Sequence, residues 1–200
     1  MFYEPRLRNH GLRHDPLKAL VAPRPIGWIS SISATGQINL APYSFFNLVS
    51  EGPPIVMFSS GGRKDSLSNV EATAEFVCNI TTEAFTDAMN VSSAAVAPDV
   101  NEFELAGLEM ETSQLVKPPR VKGIPAALEC KVTATQPLVG LDGKAGPYTM
   151  VLGEVVGIYI DPVILSDGRI KSSEFRLLAR LGYMDYAVVD RVFQLNRPQT

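Results

Sequence analysis

Ile26-Gly27-Trp28-Ile29-Ser30-Ser31-Ile32-Ser33, followed by Ala34-Thr35-Gly36-Gln37 and then Ile38-Asn39-Leu40-Ala41, is the stretch that decides the fold class. The first segment, rich in β-branched and aromatic residues, reads as a strand. Ala34–Gln37 reads as a hairpin turn in which Gly36 is free to take positive φ. Ile38–Ala41 is the returning strand, and Pro42 should end its pairing because proline has no N–H to donate.

Working outward, the same grammar repeats. Pro53-Pro54 introduces the apolar run Ile55–Ser60, which Gly61-Gly62 breaks. Phe76–Ile80 is a further short strand. Ala127–Thr135 alternates, with Leu128, Cys130, Val132 and Ala134 on one face and Glu129, Lys131 and Thr133 on the other. Leu141–Gly146 reads as a turn, and Met150–Ile160 as a long strand with Gly153 and Gly157 as bend points. Ser166-Asp167-Gly168 is another turn, and the tail returns as a strand around Tyr186–Val192.

Helices are few. Asp65 is placed to cap a helix through Glu75, with Leu67, Val70 and Ala74 at helical spacing. Others are expected over Glu83–Val91, from Asp99 (spaced from Glu102 as in a capping box), and over Ser173–Leu181. Short strands, glycine turns and scattered helices favour a mainly β fold, a closed or nearly closed antiparallel barrel, over a parallel α/β sheet. A single domain over residues 1–200 is expected, with residues 1–22 as a basic arm. Residues 165–200 should form a C-terminal helix and tail that pack on the barrel or a partner.

Of the 200 residues, 46% are hydrophobic and 20% charged, enough apolar material for a sizeable core. The formal net charge of −3 gives no bulk pull toward nucleic acid or an anionic membrane, so any phosphate must be held by a local cluster of donors. The N-terminus lacks the apolar stretch of a signal peptide, and no apolar run reaches the roughly 20 residues of a membrane helix. A cytoplasmic protein is expected. Cys78 and Cys130 fall in phase with apolar strand neighbours and read as buried thiols.

Ser59-Ser60-Gly61-Gly62-Arg63-Lys64-Asp65-Ser66 places hydroxyls, glycines and cations between a buried strand and a helix start. Such a start offers unpaired N–H groups and partial positive charge to a phosphate, and Arg63 and Lys64 add to it. A solvated turn is the plainer alternative. The aromatic stretch Leu40–Ser50 is too irregular for a pure strand. It can lay Asn47 and backbone amides against a flat heterocycle, or simply be core aromatics beside a loop. His10 and His14 lack the further ligands a metal needs. There is no GxGxxG after a strand, no P-loop and no nucleophile elbow. Chemistry borrowed from a cofactor fits such a chain.

Arg24-Pro25-Ile26-Gly27-Trp28-Ile29-Ser30-Ser31, Asn39–Asn47, Pro53-Pro54, Lys64–Asn69, Glu75–Ile80 and Leu178–Tyr186 occur in an order that resembles the flavin reductase-like family, in its flavoredoxin-like branch. The resemblance covers roughly residues 20–187 and implies an FMN-binding split β-barrel and a homodimer with flavin near the subunit interface. By position it implies that Ser59, Arg63, Lys64, Asp65 and Ser66 hold the FMN phosphate end. Ser30 and Ser31 would line the flavin, and Ser44, Phe45, Phe46 and Asn47 would meet its ring. Arg180 and Tyr183 would close the site, with Arg24 as a weaker pocket cation. Ser66 stands where many relatives carry Thr, which keeps the hydroxyl.

The resemblance also implies hydride transfer from NAD(P)H to flavin and on to an acceptor, such as a separate monooxygenase. Two alternatives stay open: an FMN-binding electron carrier reduced by a partner protein, and a barrel for an apolar ligand without redox chemistry.

Overall fold

The computed structural model describes residues 1–198. The expected tail 165–200 therefore ends outside the described residues, at 199–200. In chain order the elements are the helical turn α1 (Leu17–Leu20), β1 (Arg24–Pro25), β2 (Gly27–Ile32), β3 (Ile38–Tyr43), β4 (Phe46–Glu51) and β5 (Pro54–Gly61). Then come α2 (Asp65–Thr73), β6 (Glu75–Ile80), α3 (Thr86–Val91), α4 (Glu102–Leu105), β7 (Met110–Glu111), β8 (Arg120–Val121), β9 (Ala126–Val139) and β10 (Ala145–Ile160). The chain closes with β11 (Leu165–Ser166), β12 (Arg169–Ile170), α5 (Ser172–Phe175), β13 (Leu178–Arg180) and β14 (Tyr186–Val188).

The main sheet has seven antiparallel strands in the order β3-β2-β6-β9-β10-β5-β4. Its two end strands are consecutive in sequence, and the sheet curls until β3 lies beside β5, which gives a split β-barrel. A small sheet, β1-β13-β14, ties the C-terminal region to the start of the barrel.

The β2–β3 hairpin forms as read, with Ser33 N–H donating to Gln37 O (2.8 Å) and Gly36 at φ +92°. β2 is buried on both faces, so its apolar residues pack into two cores and its two serines are hydrogen-bonded. Trp28 enters one core with Leu40, Met89 and Phe103, while Ile29 enters the barrel core with Phe58, Phe76, Leu67 and Val70. Each fully buried aromatic contributes roughly 2–3 kcal/mol by leaving water. The β9–β10 ladder shifts register at Leu152/Gly153 and Val155/Gly157, where the glycines were expected to bend it. A Cβ on Gly153 would lie 2.4 Å from the Phe76 ring, so the barrel core needs that glycine. Cys78 and Cys130 are buried free thiols, and burial pushes both pKa values up, so they are inert hydrophobes.

Several expectations need correction. Pro42 does not end pairing: it sits in register with Trp28, tolerated because β3 is an end strand. Leu40–Ser50 is more regular than expected, with only Ser44 and Phe45 between β3 and β4. Lys64, not Asp65, occupies the cap position of α2, which ends at Thr73 rather than Glu75 because Ala74 is left-handed at φ +57°. Glu83–Val91 splits into a 3-10 turn at Glu83–Phe85 and α3. Asn101, not Asp99, caps α4 by accepting from Phe103 N–H, which leaves Glu102 to turn inward. The helix expected over Ser173–Leu181 stops at Phe175: Arg176 is left-handed at φ +47°, and Leu178–Arg180 is claimed by pairing with β1 and β14. Long-range pairing overrides local propensity there. The last strand is only Tyr186–Val188.

Candidate functional site

β5 ends at Gly61, and Gly62 (φ +82°) turns the chain into α2. The turn is fixed by Gly62 N–H donating to Pro147 O (2.7 Å) and Ser60 Oγ donating to Gly62 O (3.0 Å). No side chain caps the nine-residue α2, so its first-turn amides carry the partial positive charge of a helix start. Arg63, Lys64, Asp65 and Ser66 line a cavity of about 390 Å³ at this point. The facing wall is the small-residue strap Ser92–Val96, with Tyr43 and Glu102 completing the enclosure.

Arg63 pairs with Glu71 at 2.8 Å and its side chain is 68% exposed, so a ligand must draw it partly from that partner. Ser66 is buried and its hydroxyl is already engaged: it donates to the Asn39 amide oxygen (2.8 Å), whose nitrogen donates to Glu102 Oε1 (3.1 Å). Glu102 Oε2 accepts from Leu40 N–H (3.0 Å) on the outer side of β3. Burial pushes the Glu102 carboxyl above its ordinary value and the nearby Asp65 charge adds to this, while the Leu40 N–H pulls it back. Tyr43 is also buried and lines this cavity, with the Ser66 and Ser60 hydroxyls beside its phenol. Burial pushes its phenol up as well, while hydrogen bonding with Ser66 and Ser60 pulls it back.

A second cavity of about 130 Å³ adjoins the first, sharing Pro42 and Ser93 with it, and is bordered by Ser44 and Arg180. A third, about 470 Å³, shares Ser44 with the second and is lined by Arg24, Phe45, Phe46, Asn47, Ser59 and Tyr148. The three form a row running from the start of α2 to an aromatic wall. In that wall Phe45 and Tyr148 have ring centroids 5.6 Å apart. Ser59 is 6% exposed and its Oγ has no partner, while its N–H donates to Phe45 O (2.9 Å) and holds the loop in place.

The structure thus brings together Ser44, Phe45, Phe46, Asn47, Ser59, Arg63, Lys64, Asp65, Ser66 and Arg180, with Arg24 among them. Asn47 is exposed, and its Oδ1 accepts from Leu48 N–H (3.0 Å). Ser30 and Ser31 do not reach the row: both are fully buried, Ser30 donating to Pro119 O (2.5 Å) and Ser31 accepting from Asn69 (3.1 Å). Tyr183 lies outside it, 50% exposed and edge-on to His14. Sequence reasoning missed Asn39, Glu102, Tyr148 and the strap Ser92–Val96. Only topology delivers Glu102, Tyr148 and the strap, which come from elements distant in the chain, whereas Asn39 lies within the Asn39–Asn47 run.

A split β-barrel with an anion-receptive helix start at one end of a groove and an aromatic wall at the other defines a class of flavin-handling proteins. The chain belongs to the flavin reductase-like family: residues 20–173 match its flavin reductase like domain. An uncharacterized protein of Aquifex aeolicus is 39% identical over 169 residues, which span 82% of this chain and 83% of that one. Among solved structures, nitrilotriacetate monooxygenase component B from Bacillus cereus superposes with a TM-score of 0.88 at 29% identity, covering 98% of both chains. The Pseudomonas fluorescens 2-nitrobenzoate 2-nitroreductase NbaA superposes with a TM-score of 0.85 at 26% identity, covering 99% of this chain and 96% of that one.

Proposed function

We propose that this protein binds FMN along the cavity row and acts as an oxidoreductase that takes hydride from NAD(P)H and passes electrons to an acceptor. One observation carries the reading: the row joins the uncapped start of α2, with Arg63 and Lys64 beside it, to an aromatic wall where the buried Ser59 Oγ has no partner. Buried polar atoms are nearly always paired, so Ser59 Oγ is free to take a contact from a ligand at the ring end. The donor set fits FMN. Arg63, Lys64 and the first-turn amides of α2 suit its phosphate, and the Phe45–Tyr148 wall suits a flat ring.

When bound, FMN supplies two-electron exchange with a nicotinamide and delivery to an acceptor. The protein's own part is placement. Arg63 and Lys64 anchor the tail, Ser59 and Ser44 offer polar contacts beside the ring wall, and Phe45, Phe46 and Tyr148 exclude water from it. No side chain need move a proton: the buried carboxyl of the site, Glu102, is tied to Leu40 N–H in the cavity at the phosphate end.

The same reading includes a homodimer. A fourth and larger apolar cavity, about 670 Å³, shares Phe46 and Asn47 with the ring end, and Leu48 and Ile158 on its rim are 52% and 64% exposed. A second copy covering this face would enclose the ring end of the site. The acceptor is a monooxygenase or another electron-accepting protein, as the similarity to a monooxygenase component suggests. Cytoplasmic placement belongs to the same proposal; among the described residues no helix is long and apolar enough to cross a membrane.

FMN added to apo-protein is expected to bind, and the loaded protein to bleach anaerobically with NADH or NADPH. Bound FMN that neither nucleotide bleaches would transfer the role to an electron carrier reduced by a partner protein. Absence of FMN binding would end the flavin reading.

A further inference from the structure

The C-terminal segment and the apolar cavity of about 670 Å³ are two exposed surfaces of complementary chemistry. Val189 lines that cavity, and its N–H donates to Leu177 O (2.9 Å), which fixes the chain at the rim. Beyond Asp190 the chain has no regular structure, and residues 191–198 are all exposed. Among the described residues, no backbone hydrogen bond or ion pair ties residues 191–197 to the barrel. Yet the segment is not polar: Val192, Phe193 and Leu195 are 50%, 75% and 85% exposed. In an extended chain, alternate side chains share a face. Arg191, Phe193, Leu195 and Arg197 fall on one such face, an apolar pair flanked by two cations.

The cavity supplies the counterpart. Its walls are apolar, and Glu51 is the one charged residue lining it. Glu51 forms no ion pair among the described residues. Phe46, Leu48 and Glu51 come from β4, an end strand of the main sheet. The outer edge of β4 therefore has no strand of that sheet beside it and can receive an extended segment.

We propose that two copies of this chain exchange C-terminal tails, residues 191–197 of each lying along β4 in the apolar cavity of the other. Phe193 and Leu195 enter the cavity, and a flanking arginine meets Glu51. Seven extended residues reach about 23 Å, enough to cross to a neighbour. In one chain both surfaces are exposed, and a mutual exchange about a two-fold axis covers both at once. The cavity shares Phe46 and Asn47 with the ring-end cavity, so the exchanged tail also becomes part of that wall. This inference rests on the homodimer of the proposed reading, for which it names the docking segment, and not on the flavin.

The test compares the full chain with a chain ending at Asp190 and with Phe193→Asp, by sedimentation over a range of concentrations. Circular dichroism and melting report whether each variant keeps its fold. The wild type is expected to be a dimer, and both variants to raise its dissociation constant by about tenfold or more. Glu51→Lys should weaken the dimer as well, and Arg191→Glu with Arg197→Glu should recover part of that loss. Leu48→Cys and Leu195→Cys proteins, purified separately and mixed under mild oxidation, should form a disulfide between the two chains. The native Cys78 and Cys130 are buried and stay out of this reaction. The mixed disulfide decides the case if the shortened chain does not fold. A dimer unchanged by either tail variant, with no mixed disulfide, overturns the exchange and leaves the homodimer standing. A disulfide that forms only within one chain of the Leu48→Cys/Leu195→Cys double variant means that the tail docks on its own barrel, and also overturns it. A wild type that stays monomeric throughout removes the homodimer and the exchange together.

Discussion

Ser59 carries a sharp test at the scale of a single side chain. Its Oγ is buried and unpaired, so removing it takes nothing from the apo-protein's hydrogen bonding. Ser59→Ala is expected to weaken FMN binding by about 1 kcal/mol while leaving stability to urea unchanged or slightly raised. A loss of stability without a change in FMN affinity would mean that the hydroxyl serves the fold. Glu102 gives a pH signature. Its carboxyl is held above the ordinary value by burial first and Asp65 second, so its contribution to stability is greatest when it is protonated. That contribution is lost as pH rises through the folded value. Glu102→Gln keeps an oxygen for Leu40 N–H and removes the charge. The variant should lose less stability than the wild type on going from mildly acidic to neutral pH. It should also bind FMN more tightly, by roughly 0.5–1.5 kcal/mol, because a like charge leaves the phosphate cavity. Parallel pH-dependent melting curves for the two proteins would contradict this.

Among the elements, the start of α2 and the bend of β10 carry the most. Arg63 is largely exposed and shared with Glu71, so Arg63→Ala should weaken FMN by about 1 kcal/mol, below the roughly 1.5–3 kcal/mol of a well-formed charge-assisted bond. Glu71→Gln should have the opposite sign, since it frees the guanidinium. Gly153→Ala would press a Cβ to 2.4 Å from the fully buried Phe76 ring and is expected to cost about 1–3 kcal/mol in urea unfolding. The β2–β3 hairpin, the bends at Gly153 and Gly157, and the cationic turn before α2 were legible because each depends on residues close in sequence. Leu178–Arg180 was misread as helix because its conformation is set by pairing with Arg24-Pro25 and Tyr186–Val188. Ser30 and Ser31 look like pocket hydroxyls along the chain. Only the packed structure shows them bonded to Pro119 and Asn69, elements that arrive from elsewhere. Glu102 and Tyr148 reach the site in the same way.

At the scale of the whole molecule, the apolar face beside the ring end predicts association. Sedimentation is expected to report about twice the 21.7 kDa chain mass, and Leu48→Asp combined with Ile158→Asp to return a monomer that binds FMN more weakly. A wild-type monomer with full FMN affinity would contradict the shared enclosure. The most direct test of the central claim is a fluorescence titration of FMN into apo-protein, wild type beside Arg63→Ala and Ser59→Ala. The expected result is one saturable site per chain that each substitution weakens about fivefold. No binding, or binding indifferent to both substitutions, would contradict the claim that the row from α2 to the Phe45–Tyr148 wall is a flavin site.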